Sequence, residues 1–413
     1  MKILIISALD IKSKSIQVIK NTVMAYALKG HFVYFITFRD DDKNSDYFYE
    51  DIIDHVHSNV EIIRLILPFN NIIGFLSGKS RAIFQKFRIL FFFIPKVFLS
   101  TAKISNKENI DIIYGYEIFG ILAMKFIRKF NKKYKESFSV IRFQGTIIFP
   151  YINNYLKLLP KLDHLIALKT ESDLVIMTND GTSGDIVLKK LNNKSDNILF
   201  LKNGVDKTIY IPNINRSKAK KEIGFSEEEI ILLTISRLVG WKRLDRTIKA
   251  MPKIINKHNK IKLIIIGDGS ERNTLEQLVS KKQLSNNVFF LGAVNQSEIK
   301  NYINLADIFI SLYDLSNLGN PIFEALVCGK CIVTLDNGTT GSVIKDGMNG
   351  ILLNEKELHK LSEIIVDLIN DPDRRKKLEI GALEYSNNNI WTWDERMKYE
   401  VDYVASLVNK SIN

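Results

Sequence analysis

Residues 230–243 read Ile-Ile-Leu-Leu-Thr-Ile-Ser-Arg-Leu-Val-Gly-Trp-Lys-Arg, and this stretch decides the fold. An apolar run over 230–236 suits a strand buried on both faces, the habit of parallel sheets. A helical pattern over 242–257 starts within a few residues, so strand passes to helix at a short turn. That turn carries Arg237 at the strand's carboxyl end and Lys242 where the helix begins. Two fixed cations beside backbone donors and the positive end of a helix suit a diphosphate. Standing alone, they would read as two solvated surface cations.

Three further strand ends alter that reading. Ile266-Gly267-Asp268-Gly269-Ser270 is a glycine-rich turn where backbone can approach closely. Phe290-Leu291-Gly292-Ala293-Val294 suits a flat base held against backbone groups. Ser316-Asn317-Leu318-Gly319-Asn320-Pro321-Ile322-Phe323-Glu324 combines a glycine that admits backbone amides near phosphate with a proline suited to a helix's first turn. Glu324, one turn further in, is a candidate acceptor for a ribose diol. Buried alone it would be costly, so a ligand or cation must satisfy it.

Outward from these turns, strand-like and helical segments alternate, which is the pattern of a parallel α/β protein. Strands are expected at 2–7, 32–37, 60–67, 110–114, 138–142, 174–177 and 197–201, with helices at 15–29 and 118–130. A second series comes next: strands at 230–236, 261–266, 287–291, 307–312 and 331–335, and helices at 242–257, 270–282 and 321–329. The turn-rich region from Asn203-Gly204-Val205-Asp206 to Ile211-Pro212-Asn213 is the boundary candidate. We expect one domain at 1–205 plus about 388–413, the tail from Trp391 to Val408 forming a helix that crosses back, and another at 206–387. Two doubly wound domains would bind a ligand in the cleft at their strand ends.

The composition agrees. At 413 residues, two cores are expected, and 24 Phe and 15 Tyr can fill them. Two cysteines exclude a disulfide framework and fit a reducing, cytoplasmic compartment. The start of the chain is too short an apolar run for a signal peptide, and no stretch is apolar enough to span a membrane. The net charge of +12 is uneven, with 28 Lys/Arg against 19 Asp/Glu in residues 1–200. Positions 62–107 hold eight basic residues and no acid. Within them, 81–99 interleaves Phe and Leu with Lys and Arg, which suits a helix on an anionic lipid surface. The plainer alternative is a core helix with snorkelling basic ends. No nucleic-acid-binding motif accompanies the charge.

Taken together, the four turns resemble the nucleotide-sugar domain of family-4 retaining glycosyltransferases (glycosyl transferases group 1), which have the GT-B fold of two facing Rossmann-like domains. The resemblance is strong from about 203 to 353, including Gly338-Thr339-Thr340-Gly341 and Asp346-Gly347-Met348-Asn349-Gly350. It is looser before, resting on Lys29-Gly30-His31 and Asp111-Ile112-Ile113-Tyr114. It implies a donor-binding domain at 206–387 and an acceptor-binding one at the amino terminus. Arg237 and Lys242 would neutralise the donor diphosphate, Glu324 would hold the ribose, and backbone groups of Leu318, Gly319 and Asn320 would face the β-phosphate or sugar. Gly267, Gly292, Ser316 and Asn317 complete the implied donor site, which needs neither metal nor cofactor.

Two departures stand out. The family usually places two glutamates eight positions apart. The second matches Glu324, and the first falls at Ser316, with Asp314 or Asn317 as compensating candidates unless Ser316 suffices. The glycine-rich loop common after the first strand is replaced by Ala8-Leu9-Asp10-Ile11-Lys12-Ser13-Lys14-Ser15. Lys12 there, and Glu117, Arg142 and Gln144 at later strand ends, are candidates for acceptor, donor sugar or catalysis, against loop hydrogen bonding. Asp40-Asp41-Asp42 reads as a solvated loop. Cys328-Gly329-Lys330-Cys331 reads as two buried thiols, since no second ligand pair is near.

The resulting expectation is a cytoplasmic enzyme, peripheral on the inner membrane face, that transfers a hexose with retention. The donor is a nucleoside-diphosphate sugar, UDP favoured over GDP, and the acceptor a glycan or lipid-linked glycoconjugate of the cell envelope. The competing readings are a catalytically silent partner subunit, kept open by Ser316, and a GT-B epimerase.

Overall fold

The computed structural model describes residues 1–13, 17–39, 50–76, 78–210 and 215–412. The chain divides into two compact units. One comprises Met1–Asn179, Ser183–Lys202 and Asp394–Asn413, the other Asp180–Thr182 and Asn203–Trp393. The sequence-based boundaries at 205 and about 388 lie a few residues from these. Asp40-Asp41-Asp42, Lys14-Ser15 and Ile211-Pro212-Asn213 lie outside the described residues.

In the first unit, strands β1 (Lys2–Ser7), β2 (Phe32–Phe38), β3 (Val60–Leu65), β4 (Ile112–Tyr116), β5 (Phe138–Phe143), β6 (Leu174–Thr178) and β7 (Ile198–Leu201) form one sheet in the order β3-β2-β1-β4-β5-β6-β7. Every pairing is parallel, with Ile5 opposite Tyr114 and Gly115 opposite Ile141. Helix α1 (Gln17–Leu28) returns from β1 to β2. The stretch between β3 and β4 carries α2 (Gly78–Arg88), a π-helical turn (Ile89–Phe93) and α3 (Ile94–Lys107). After β4 comes α4 (Glu117–Phe130). The core gathers Ile6, Ile36, Phe93, Ile113, Ile121 and Phe143, all buried, which is why the central strands are largely apolar rather than alternating, while the edge strand β3 carries Glu61 and Arg64.

The second unit repeats the plan. Strands β8 (Ile230–Ile235), β9 (Ile261–Ile266), β10 (Val288–Gly292), β11 (Ile308–Ser311), β12 (Cys331–Leu335) and β13 (Ile351–Leu353) pair in parallel in the order β10-β9-β8-β11-β12-β13. Buried clusters cover both faces, one around Leu232, Ile248 and Val333, the other around Leu233, Phe309 and Phe323. Strand β13 is three residues long and has no counterpart among the expected strands.

Two helices lie just beyond the carboxyl ends of central strands. After β8 and the turn at Gly240–Lys242 comes α5 (Leu244–Ile255), and α6 (Asn320–Val327) comes after β11. The final helix, α7 (Trp393–Ile412), belongs to the first unit from Asp394 onward. No helix among the described residues is long and apolar enough to cross a membrane.

Candidate functional site: the strand ends of the second unit

At the carboxyl end of β8, the turn is locked to its neighbour on β9. Ser236 N donates to Ile266 O at 3.0 Å and Leu238 N to Asp268 O at 2.9 Å. Gly267 makes this close approach possible. It has φ +131°, and a Cβ there would lie 1.8 Å from Ser236 O. Gly267 N in turn donates to Gly292 O at 2.8 Å. Gly267 and Gly292 thus position the backbone that presents Arg237.

Lys242 ends the short turn before α5. Its Nζ lies 3.9 Å from the Tyr313 ring centre and 4.3 Å from that of Trp241, and it donates to Ser316 O at 3.3 Å. Shielding from water, followed by the positive charge of Arg237, lowers its pKa to about 7 against the pull of Asp180. A diphosphate brought here would reverse that shift, since an anion favours the charged ammonium.

The segment from 313 to 320 is held rigidly. Asn317 is buried: Ser311 Oγ and Tyr313 N both donate to its Oδ1 at 3.1 Å, while its Nδ2 donates to Tyr313 O and to Asn337 Oδ1. Asp314 is engaged by Arg243 and Arg246. Both expected compensators are thus already engaged within the fold, Asp314 by two guanidiniums and Asn317 by backbone and side-chain partners. Leu318 is likewise corrected. Its side chain is core, and its N–H donates to Asp180 O at 2.9 Å, so that amide is not available to phosphate. What remains is the start of α6, with Gly319 at its cap and Asn320 in its first turn; Asn203 Nδ2 donates to Asn320 Oδ1 at 2.9 Å. The first amides of a helix lack intrahelical acceptors and carry its partial positive charge. Glu324 is buried and accepts from Gln296 Nε2 at 2.7 Å, a partner that no local sequence pattern reveals.

Sequence reasoning also passes over Asp180. It lies in a turn after β6 that belongs to the second unit, where its Oδ1 accepts from Thr182 N at 3.1 Å and Thr182 Oγ1 at 2.6 Å. The signal available is Asn179-Asp180-Gly181 itself, which reads equally well as an ordinary turn.

In the first unit, the candidates diverge. Arg142 is fully buried on β5, and its Nη1 bonds Glu400 Oε1 and Oε2 at 2.9 and 2.8 Å. Arg396 joins the same carboxylate at 2.7 Å, and Tyr114 donates to it at 3.1 Å. Burial alone would raise the pKa of Glu400, but the two guanidiniums hold it below the usual range. Arg142 therefore anchors α7 to the sheet instead of contacting sugar. Gln144 donates from its backbone N to Glu117 Oε1 and from Nε2 to Tyr116 Oη. Glu117 begins α4 with a left-handed φ of +58°, a conformation that costs about 1–3 kcal/mol in a side-chain-bearing residue. Lys12 is buried and itself forms an antiparallel bridge with Ile52. Both cysteines are free and buried, their thiols pushed up to about 12 by burial. Among the described residues, no group of three or more His, Cys, Asp or Glu could hold a metal ion.

Comparison with known proteins bears on the family and the fold. Residues 215–384 match the family described as glycosyl transferases group 1. An uncharacterised glycosyltransferase of Methanocaldococcus jannaschii is 28% identical over 75% of this chain and 86% of its own length. The GDP-mannose-dependent monoacylated alpha-(1-6)-phosphatidylinositol monomannoside mannosyltransferase of Corynebacterium glutamicum is 29% identical over 47% of this chain and 52% of its own. Among solved structures, Anabaena HepE in complex with UDP and glucose superposes with a TM-score of 0.72, 18% identity, and coverage of 98% of this chain and 99% of that one. The class is therefore that of the GT-B proteins, with two Rossmann-like units. Within that fold, residues 215–384 are similar to glycosyl transferases group 1.

Proposed function

We propose that the chain transfers a hexose, with retention, from a nucleoside-diphosphate sugar to a glycan or lipid-linked acceptor in cell-envelope glycoconjugate synthesis. The observation that carries this is Lys242, under the positive charge of Arg237, donating to Ser316 O just before the first turn of α6. UDP is favoured over GDP as the donor nucleotide. HepE supports this through the UDP and glucose in its complex, whereas the mannosyltransferase relative is named for GDP-mannose.

In the reaction, negative charge grows on the departing diphosphate as the glycosidic C–O bond breaks. Cations already in place stabilise that charge without reorganising, so we assign this role to Arg237 and Lys242 with no metal ion. The acceptor hydroxyl attacks on the face the diphosphate leaves, and a diphosphate oxygen takes its proton. This accounts for retention without a nucleophile on the protein.

The lipid-linked acceptor rests on the first unit. Phe75, Ile83, Phe91 and Leu99 are 90%, 69%, 62% and 61% exposed, on an acid-free stretch that also presents Lys96 and Lys103. Arg88, in contrast, is buried and donates to Pro68 O at 2.9 Å, so it takes no part in that face. Such a mixture suits the headgroup boundary of an anionic leaflet, and we propose peripheral attachment to the cytoplasmic membrane there. Flotation with vesicles of phosphatidylglycerol and phosphatidylcholine at low salt tests it. Loss of flotation in a Phe75→Ser/Phe91→Ser variant is expected, and a wild-type chain that stays unbound would remove the membrane part. The transferase reading is tested by release of UDP or GDP from the nucleotide sugar by the chain purified alone. No release with any donor in the presence of membrane lipid extract would favour the silent-subunit reading.

A further inference from the structure

The turn after β6 places a buried carboxylate where the 316–320 segment lacks one. Asp180 is 8% exposed. Its side chain is hydrogen-bonded to Ser316, and it lies close enough to Lys242 for their charges to interact. The turn is fixed from three sides: Leu318 N donates to Asp180 O at 2.9 Å, Thr339 N to Gly181 O at 3.4 Å, and Thr182 braces the carboxylate. Gly181 has φ +94°, and a Cβ there would lie 3.1 Å from Leu318 N and 3.2 Å from Asn317 N. This contact leaves little room for a side chain. Ser316 itself adopts a left-handed φ of +58°, which turns its carbonyl to Lys242 while its hydroxyl meets Asp180.

A carboxylate in this setting has two physical consequences. It opposes a diphosphate electrostatically, so it does not serve to bind the leaving group. It also accepts hydroxyl hydrogen bonds strongly, because charged acceptors make the stronger bonds. The groups that bring hydroxyls next to a diphosphate are the sugars attached to it. Burial raises the cost of leaving such a carboxylate without donors, so a sugar lacking the right hydroxyl is penalised, and discrimination of this kind reaches several orders of magnitude in sites built to bond a hydroxyl.

We propose that Asp180 reads the transferred sugar: its carboxylate accepts a hydroxyl of the hexose and sets donor preference, in place of a carboxylate at position 316. This rests on the nucleotide-sugar reading of the site. Ser316 then acts as a spacer that lets a carboxylate from a distant turn reach the site.

The test is calorimetric binding of UDP, UDP-glucose, GDP and GDP-mannose to wild type, D180N and D180N/S316E at a pH of about 6.5, where Lys242 keeps most of its charge. In D180N, the affinity for the free nucleoside diphosphate stays within about threefold of wild type or rises, since an opposing charge is gone. Its ratio of nucleotide-sugar to free-nucleotide affinity falls at least about tenfold. Restoring a carboxylate at 316 recovers part of that ratio, which a merely structural role for Asp180 would not produce. Parallel loss of both ligands in D180N, or an unchanged ratio, would overturn the proposal. Wild type binding none of the four ligands would instead remove the nucleotide-sugar reading, and with it any sugar-reading role.

Discussion

Arg142 and Lys242 are both cations at the end of a parallel sheet, one in each unit, and they meet opposite environments. Arg142 is matched by Glu400 at 2.8 Å, and Arg396 completes a buried triad around that carboxylate. Lys242 faces two aromatic rings and a carbonyl, and its charge is eroded to a pKa of about 7. A cation whose charge is neutralised within the fold supports the fold. A cation whose charge is held below its ordinary strength gains from an arriving anion. Burial lowers the pKa of Lys330 to about 7 as well, so it is the place of Lys242 at a strand-to-helix turn, together with its weakened charge, that fits the proposed donor site.

The largest effect expected from this comparison is on stability. Arg142→Ala leaves Glu400 buried with half its compensation, and breaking such a pair costs about 3–5 kcal/mol. Urea denaturation should show that loss, with nucleotide affinity retained in the folded protein. A stable variant with weakened nucleotide binding would return Arg142 to the site. Next comes the reverse case: Lys242→Ala or Arg237→Ala should lower kcat by about 10²–10³, or about 3–4 kcal/mol, with little change in the denaturation midpoint. Turnover within a few-fold of wild type would contradict the charge-stabilising role.

Gly267→Ala sharpens the comparison from the backbone side. Its Cβ would collide with Ser236 O, so β8 and β9 must separate at the end that carries Arg237. A cost of about 1–3 kcal/mol is expected, together with weaker nucleotide binding. Equal nucleotide affinity in a destabilised variant would show that Arg237 does not depend on this contact.

The smallest effect concerns pH. A base whose pKa is lowered to about 7 in the empty site is mostly neutral above that pH. Bound diphosphate restores the proton, so binding takes up a proton once the pH exceeds that value. Affinity should fall with rising pH by up to about tenfold per unit. Titrations at a pH of about 8 in buffers of different ionisation enthalpy would measure that uptake, and Lys242→Ala should abolish it.

Much of the fold could be read from the sequence because both sheets are parallel and their strands are continuous apolar runs. The departures are short elements such as β13, whose three residues offer no periodicity. The cationic turn at 237–242 was legible for a related reason, since its residues are neighbours in the chain. Arg142 was misread because its partner, Glu400, lies 258 residues away and no local pattern announces the pair. Leu318 looked available because a backbone amide's acceptor is invisible in sequence; here it is the carbonyl of Asp180. Asp180 itself sits in a stretch that any turn would tolerate, and only the long-range packing of that turn against 316–318 gives it a role.

The most direct measurement is calorimetric titration of the purified chain with UDP, GDP and ADP, first with EDTA and then with Mg²⁺. Metal-independent binding of one nucleotide is predicted, UDP ahead of GDP, and it should be lost in Arg237→Ala and Lys242→Ala. Absence of binding to all three, or binding that appears only with Mg²⁺ and survives both substitutions, would contradict the assignment of these two cations to the diphosphate.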